Sequence, residues 1–243
     1  MTKTYEIVID GKVCTAEHGE YLWDVANRNG IFIPALCRSN AFDEHRACCR
    51  VCIVEVITRG RSKIVTSCVY PVEGECEVLT NSPRVIQDRK VLMALLAARA
   101  PESDTIAAMA SYMGGKAGYE RLKPLDSGKC ILCGLCVQAC ESMGAGAIST
   151  VNRGVEKEVN TPYGAASDVC FGCLSCANVC PTGCIEFTED AKTRTIWNRE
   201  FELVSCRECG ELLGTKEMTE DDICDACRKK AIADQMAQTY RFI

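Results

Sequence analysis

The sequence predicts an α+β chain of four successive parts, and three observations support this prediction. Alternating apolar and polar residues near the amino terminus indicate strands. Two four-cysteine runs in the middle of the chain indicate a pair of metal-binding loops. Two cysteine pairs near the carboxyl terminus indicate a small metal-bound tail. The predicted parts are residues 1–80, 81–128, 129–190 and 191–243.

The first part has the order strand, strand, helix, long loop, strand, strand. Its predicted elements are strands over residues 5–9 and 12–16 joined by Asp10-Gly11, a helix over residues 21–29 ended by Gly30, and strands over residues 52–57 and 63–67 joined by Arg59-Gly60-Arg61. This order is typical of a β-grasp domain. We therefore expect a small β-grasp domain over residues 1–80.

Five of the cysteines in the loop region of this domain lie at spacings that suit a metal cluster. The best set of four gives C-x11-C-x2-C-x15-C and predicts a 2Fe-2S cluster held by Cys37, Cys49, Cys52 and Cys68. Cys48 is the alternative to Cys49 as a ligand of this cluster. Cys14 and Cys76 have no partner at metal-ligand spacing and are interpreted as ordinary thiols.

The second part, residues 81–128, is predicted to be a helical connector. Apolar residues recur at helical spacing over residues 83–98, Pro101 breaks the pattern, and a second short helix is predicted over residues 103–113. Gly114, Gly115 and Gly118 then loosen the chain before the first cysteine run. We interpret this part as a connector or a docking surface.

The third part contains two C-x2-C-x2-C-x3-C runs, the second of them followed by proline. This spacing is typical of a bacterial ferredoxin with two 4Fe-4S clusters, in which three thiolates of each run bind one cluster and the fourth binds the other. The predicted ligand sets are Cys130, Cys133, Cys136 and Cys180 for one cluster, and Cys170, Cys173, Cys176 and Cys140 for the other. Cys184 is interpreted as a packed thiol.

The tail, residues 191–243, contains two C-x2-C pairs, the first of them followed by glycine. Four thiolates on two tight turns suit a tetrahedral structural zinc, as in a zinc ribbon, and the predicted ligands are Cys206, Cys209, Cys224 and Cys227. A third 4Fe-4S cluster on the same residues is the alternative. Residues 191–199 show little pattern, and residues 228–243 are predicted to be a helix that packs on its own domain or docks a partner subunit.

The composition limits the classes of function. The chain has 20 cysteines in 243 residues and a net charge of −5, which argues against nucleic acid as a partner. Clustered cysteines are typical of intracellular metal sites, and neither a signal peptide nor an apolar run of membrane-helix length is present, so we expect a cytoplasmic protein. No catalytic residues are predicted, and His18 and His45 are interpreted as surface residues.

Several stretches resemble a known family. They are ACCRVCIVEV (residues 47–56), TSCVYPV (66–72), LTNSPRVIQDRKVLMALLAAR (79–99) and NRGVEKEVNTPYG (152–164), the last beside the ferredoxin runs. Together they resemble the amino-terminal electron-transfer region shared by the large iron-sulfur subunit of respiratory complex I, the iron-only hydrogenases, and subunits of NAD-linked hydrogenases and formate dehydrogenases. Many members bind a further cluster through one His and three Cys, but residues 100–128 contain neither residue type.

The resemblance implies an electron-transfer subunit of a cytoplasmic, anaerobic oxidoreductase complex. Its partners would be a flavin-containing NAD(P)H-oxidising or ferredoxin-linked subunit and a catalytic subunit such as a hydrogenase or a formate dehydrogenase. Two alternatives stay open at this stage. One is a stand-alone polyferredoxin that carries electrons between enzymes, and the other is an iron-sulfur redox sensor.

Overall fold

The computed structural model describes residues 3–42, 46–114 and 124–240, with side chains up to residue 236. His45, Gly115 and Gly118 lie outside these ranges. The chain divides into two compact units. The first consists of Met1–Leu135 together with Val179–Cys184, and the second of Cys136–Asn178 together with Ile185–Ile243.

The first unit is built on a five-stranded sheet. Its elements are β1 (Thr4–Ile9), β2 (Lys12–Glu17), α1 (Leu22–Arg28), β3 (Ile53–Thr58), β4 (Arg61–Thr66) and β5 (Glu77–Leu79). The strand order is β2-β1-β5-β3-β4, with β1 and β5 parallel and the other pairs antiparallel. The predicted hairpins and helix are confirmed, and the sheet has the predicted β-grasp arrangement.

The sheet differs from the prediction at two places. The central strand β5 was not predicted, because three residues are too few to show alternation in a sequence. The turn between β3 and β4 contains only Arg59 and Gly60, both at positive φ, and Arg61 already belongs to β4. Two residues at positive φ form the tight hairpin whose twist matches that of the strands.

The core of this domain follows from the alternation of its strands. Side chains of β1, β3 and β5 at every second position are fully buried, among them Ile7, Val54 and Val78. Leu22 and Val25 of α1 cover the same face. Cys14 is also buried in this core, and burial raises the pKa of its thiol.

Two capped helices follow the sheet, α2 (Pro83–Arg99) and α3 (Asp104–Tyr112). The hydroxyl of Ser82 accepts a hydrogen bond from the Val85 amide, and the hydroxyl of Ser103 accepts one from the Ile106 amide. Both predicted helices are confirmed to within one residue at each end. No helix in the described part of the chain combines the length and the apolar character needed to cross a bilayer.

A buried arginine attaches α2 to the cysteine-bearing loop. Arg89 is 5% exposed and donates to the carbonyl oxygens of Val51 at 3.1 Å and Ile53 at 2.7 Å, and to Asn81 at 2.9 Å. Burial lowers the pKa of this guanidinium. The two carbonyl groups lie on either side of Cys52, so Arg89 fixes the backbone at a predicted ligand.

We expect Arg89→Leu to destabilise the first unit by about 2–4 kcal/mol. The substitution removes the desolvation cost of a buried guanidinium, but it also leaves the buried carbonyl groups without a hydrogen-bond donor. The second effect is larger, because these hydrogen bonds are charge-assisted. Hydrogen exchange of the β3 amides should accelerate accordingly. Arg84→Leu, an exposed site on the same helix, is the control, and equal exchange in the two variants would contradict this account.

The second unit contains two separate sheets. Its elements are α4 (Leu135–Ser142, whose first residue belongs to the first unit), β6 (Ser149–Val151), β7 (Glu158–Asn160), α5 (Ser175–Asn178), β8 (Phe187–Glu189), β9 (Thr193–Ile196), β10 (Arg199–Ser205), β11 (Leu212–Thr215) and α6 (Asp225–Tyr240). Strands β6 and β7 pair with each other, and the other four form a sheet in the order β11-β10-β9-β8.

The four-stranded sheet was not predicted. Its strands begin before residue 190 and continue to residue 215, so the sheet crosses the predicted limit between the third and fourth parts. The prediction of little pattern over residues 191–199 is wrong, because β9 and β10 form a hairpin there. The turn is Trp197-Asn198, both at positive φ, and it contains neither the glycine nor the proline that marks most turns.

Two side chains of this sheet are buried in the core of the second unit. Phe201 is 1% exposed and Ile196 is 3% exposed. Both side chains lie in one cluster with Cys136, Val137, Ile148 and Cys176 of the third predicted part. Alternation of apolar and polar residues through β10 was the sequence pattern that could have predicted the burial of Phe201.

Candidate metal centres

The four predicted 2Fe-2S ligands are buried in the first unit, none of them more than 3% exposed. Cys52 directly precedes β3, and Cys68 lies in the short turn after β4. Pairing of β3 with β4 brings these two residues together, since Ile53 lies opposite Thr66. The Ser67 hydroxyl donates to the Cys52 carbonyl oxygen at 2.7 Å and fixes this end of the hairpin.

The four thiols form two pairs. A hydrogen bond from the Cys49 thiol lowers the pKa of Cys37 to about 6 and raises the pKa of Cys49. A hydrogen bond from the Cys68 thiol likewise lowers the pKa of Cys52 to about 7 and raises that of Cys68. Two neighbouring pairs of thiols are what a cluster with two iron atoms, each bound by two cysteines, requires.

The loop before β3 decides between the two adjacent cysteines. The side chain of Cys48 is exposed, and its sulfur contacts the Arg46 carbonyl oxygen at 3.4 Å. Cys49 is buried, and its amide donates to the Cys37 sulfur at 3.5 Å. Ala47 and Arg50 on either side have positive φ. The conformation of this loop therefore directs Cys49 inward and Cys48 outward.

Three members of one predicted 4Fe-4S set, Cys130, Cys133 and Cys180, lie in the first unit. Burial raises the pKa of Cys133 to about 11, with smaller contributions from the charges of the other two. The amide of Leu132 donates to the Cys130 sulfur at 3.4 Å, and the amide of Cys184 donates to the Cys180 sulfur at 3.3 Å. Cys136, the fourth predicted member, belongs to the core of the second unit.

All four members of the other predicted 4Fe-4S set lie together in the second unit. Cys140, Cys170, Cys173 and Cys176 line one cavity, whose other walls are mainly apolar and include Ile148 and Leu174. Burial raises the pKa of Cys170 and of Cys176, and the neighbouring cysteines raise both further. A thiolate held in such a cavity needs a positive partner, which iron would supply.

The two C-x2-C-x2-C loops share one backbone conformation. In each loop the second residue after the first cysteine and the residue after the second cysteine have positive φ. These residues are Leu132 and Gly134 in the first loop, and Gly172 and Leu174 in the second. Alternation of right- and left-handed residues turns successive N-H groups toward one point and makes a concave anion site of the kind found around Fe-S clusters. The loops therefore fit the group that their spacing predicts.

The tail cysteines form the tightest group. The sulfur atoms of Cys206, Cys209, Cys224 and Cys227 all lie within 4.8 Å of one another, and those of Cys209 and Cys224 are 3.7 Å apart. Four ligands at the Zn-S distance of about 2.3 Å form a tetrahedron with edges of about 3.8 Å. A 4Fe-4S cluster would hold its thiolates farther apart, because each binds a different iron. The tail fits a single metal ion.

Backbone groups hold this arrangement in place. The Gly210 amide donates to the Cys206 carbonyl oxygen at 2.8 Å, which closes the first turn. The Cys224 amide donates to the Cys206 sulfur at 3.3 Å and lowers the pKa of that thiol to about 6. A hydrogen bond that the Cys227 thiol donates to the sulfur of Cys224 raises the pKa of Cys227 to about 12. Cys206 is thus prepared to be a thiolate, as a metal ligand must be.

Residues of the unpredicted sheet hold the loop of the second cysteine run. One nitrogen of Arg199 (Nη1) lies within 3.0 Å of the carbonyl oxygens of Ser167, Asp168 and Cys170. Arg194 donates to the Gly172 carbonyl oxygen at 2.7 Å, and Thr215 donates to that of Phe171 at 2.6 Å. No local sequence pattern predicts these contacts, because the partners are more than 20 residues apart.

Two family models match the chain. The 2Fe-2S iron-sulfur cluster binding domain matches residues 2–83, and the 4Fe-4S dicluster domain matches residues 124–187. The fold resembles that of a chain in the crystal structure of NAD+-reducing [NiFe]-hydrogenase in the H2-reduced state. That match has a TM-score of 0.61 and 23% identity, and covers 74% of this chain and 86% of the other.

Curated relatives match most of the chain, which spans only about a third or less of their own length. The chain is 32% identical over 210 residues to NADP-reducing hydrogenase subunit HndD of Solidesulfovibrio fructosivorans, covering 74% of this chain and 35% of that protein. It is 30% identical over 181 residues to the mitochondrial NADH-ubiquinone oxidoreductase 78 kDa subunit of Neurospora crassa, covering 64% of this chain and 24% of that protein. The chain is therefore similar to part of each of these subunits, and it contains a 2Fe-2S cluster binding domain, a 4Fe-4S dicluster domain and a cysteine-rich tail.

Proposed function

We propose that the chain is the iron-sulfur electron-transfer subunit of a cytoplasmic oxidoreductase complex. The observation that carries the proposal is the set of cysteines in two cluster-binding domains of one chain, including four that line a single cavity. An iron-sulfur cluster, when bound, accepts and releases single electrons. The relatives are subunits of NAD(P)-linked hydrogenases and oxidoreductases, which supports the same class of complex here.

In this proposal the first domain binds one 2Fe-2S cluster through its two thiol pairs. Cys37 and Cys49 would bind one iron, and Cys52 and Cys68 the other. The outward direction of Cys48 supports Cys49 as the ligand. Arg89 and the Ser67 hydroxyl hold the backbone at Cys52, so the ligands keep their positions when the charge of the site changes.

The dicluster domain would bind two 4Fe-4S clusters. Cys170, Cys173, Cys176 and Cys140 would bind the one in the cavity of the second unit. The sequence spacing supports Cys130, Cys133, Cys136 and Cys180 as ligands of the other. The apolar walls around the cavity exclude water, and the converging N-H groups of the loop stabilise the negative charge of the bound state.

The tail would bind a structural zinc through Cys206, Cys209, Cys224 and Cys227. The short distances between the four sulfur atoms support one metal ion over a third 4Fe-4S cluster. Zinc undergoes no redox change, so in this proposal the tail supports the fold and takes no part in electron transfer.

The proposed partners are a flavin-containing NAD(P)H-oxidising or ferredoxin-linked subunit and a catalytic subunit such as a hydrogenase or a formate dehydrogenase. Purification from the native host without oxygen tests this proposal. The chain should elute with a flavoprotein and a catalytic subunit. Elution as a lone species of 26.6 kDa would refute the complex and leave a free electron shuttle.

The same preparation tests the metal sites. We expect about 10 iron atoms, a similar amount of acid-labile sulfide and about one zinc per chain. About 14 iron atoms without zinc would place a third 4Fe-4S cluster in the tail. About 6 iron atoms would show that one of the two ferredoxin sets does not bind a cluster, which would contradict the dicluster assignment.

A further inference from the structure

The hairpin between β9 and β10 turns at an unusual residue. Trp197 and Asn198 form its turn with φ of 54° and 60°, a left-handed conformation that bulky residues rarely adopt. The Asn198 side chain donates to the Gly164 carbonyl oxygen at 3.2 Å and anchors the turn. A bulky side chain held in such a conformation is often a sign of function, so the surroundings of the indole are informative.

The indole of Trp197 lines the cavity of Cys140, Cys170, Cys173 and Cys176. Its N-H group is buried and makes no hydrogen bond with any of the described residues. A buried donor without an oxygen or nitrogen acceptor is costly, unless a sulfur atom of a bound group accepts its hydrogen bond.

We propose that Trp197 donates a hydrogen bond to a sulfur atom of the 4Fe-4S cluster, or of one of its four cysteines, when a cluster occupies this cavity, and that this bond sets the reduction potential of the cluster. The inference rests on the proposed function, since it needs a cluster at these four cysteines. Reduction adds negative charge to the cluster and its thiolates. An N-H donor stabilises the more negative state and therefore raises the potential.

The contacts of the hairpin explain how the indole is kept in place. Arg199, two residues after Trp197, donates to the Cys170 carbonyl oxygen at 2.6 Å and lies 4.8 Å from the centre of the Phe201 ring. Phe201 in turn packs directly on Gly172. The hairpin and the cysteine loop thus form one packed body, and the N-H group cannot turn to another acceptor at low cost.

The test is the midpoint potential of each cluster in Trp197→Phe, which keeps an aromatic ring and removes the donor. The midpoint potential of one 4Fe-4S cluster should fall by about 59 mV. This corresponds to a decrease of about tenfold in the equilibrium constant of its one-electron reduction. The potentials of the 2Fe-2S cluster and the other 4Fe-4S cluster should not change. The matched control is Trp23→Phe, since the indole of Trp23 already donates to the Ile33 carbonyl oxygen at 3.0 Å in the first unit.

A spectroscopic measurement covers the case in which Trp197→Phe loses its cluster. The chain has two tryptophans, so Trp23→Phe protein grown with 15N-indole tryptophan is labelled only at Trp197. The electron paramagnetic resonance of a reduced 4Fe-4S cluster should then show coupling to 15N. An unchanged potential in Trp197→Phe, or no 15N coupling in the labelled protein, overturns the inference. A wild-type iron content too low for two 4Fe-4S clusters instead refutes the proposed function.

Discussion

Gly172→Ala should remove one 4Fe-4S cluster and lower the iron content from about 10 to about 6 atoms per chain. Gly172 has φ of +69° and lies between the first two cysteines of the second run. A Cβ atom at this position would lie 2.7 Å from Cδ2 and 2.9 Å from Cγ of Phe201, and 3.0 Å from Cγ2 of Thr215. Both neighbours are fully buried, so neither can move aside cheaply.

Two costs add at this position. Left-handed backbone costs an alanine about 1–2 kcal/mol, and overpacking of a filled core costs about 1–3 kcal/mol. The loop must shift to relieve them, and a shift moves Cys170 and Cys173 away from the other two ligands. Iron analysis and visible absorption of protein purified without oxygen measure the loss.

Gly154→Ala is the matched control for this substitution. Gly154 also has a positive φ, of +63°, and lies in the second unit, but no atom lies within 4 Å of the added Cβ. This variant bears the backbone cost without the collision and should keep its iron. Full iron content in Gly172→Ala would mean that Phe201 and Thr215 move aside to make room for the added Cβ atom, which would contradict the packing described above.

Cys206→Ser should empty the tail site and disorder the segment between the two cysteine pairs. Cys206 is 2% exposed and holds both turns, because its carbonyl oxygen accepts from Gly210 and its sulfur accepts from the Cys224 amide. In small metal-bound folds the free energy of metal binding is largely the free energy of folding. Zinc content should therefore fall from about one to near zero per chain.

Hydrogen exchange measures the structural effect. The amides of Gly210, Cys224 and Arg228 are hydrogen-bonded within the site, and their exchange should accelerate by about two orders of magnitude or more once the metal is lost. Amides of the five-stranded sheet in the first unit should keep their protection. Cys48→Ser is the control, because that exposed thiol has no place among the proposed ligands. Loss of about four iron atoms instead of zinc from Cys206→Ser would identify a third cluster.

The cysteine loops were predictable because their chemistry is local. A cluster takes three thiolates from one short run, so the spacing of Cys170, Cys173 and Cys176 contains the relevant geometry. The β1-β2 hairpin and the two capped helices were predictable for the same reason, since alternation, turn residues and caps lie within a few positions of one another.

The features that escaped prediction depend on partners far apart in the chain. Strand β5 is defined by its neighbours β1 and β3 more than by its own three residues. The β9-β10 hairpin turns without a glycine because the surrounding packing holds Trp197 in a left-handed conformation. The donors on the cysteine loop, Arg194 and Arg199, are 22 and 29 residues from the carbonyl groups of Gly172 and Cys170 that they contact.

The division of the chain into units also affects how the protein is made. The first unit is interrupted after Leu135 and is completed only by Val179–Cys184, with Val179 packed against its core. At typical rates of synthesis the ribosome delivers that closing segment roughly 2–10 s after Leu135. The nascent first unit must persist for that time without part of its core, and a truncated protein ending at residue 128 would lack it permanently. Chaperone dependence during synthesis, and poor yield of such truncations, are the expected costs of this order of assembly.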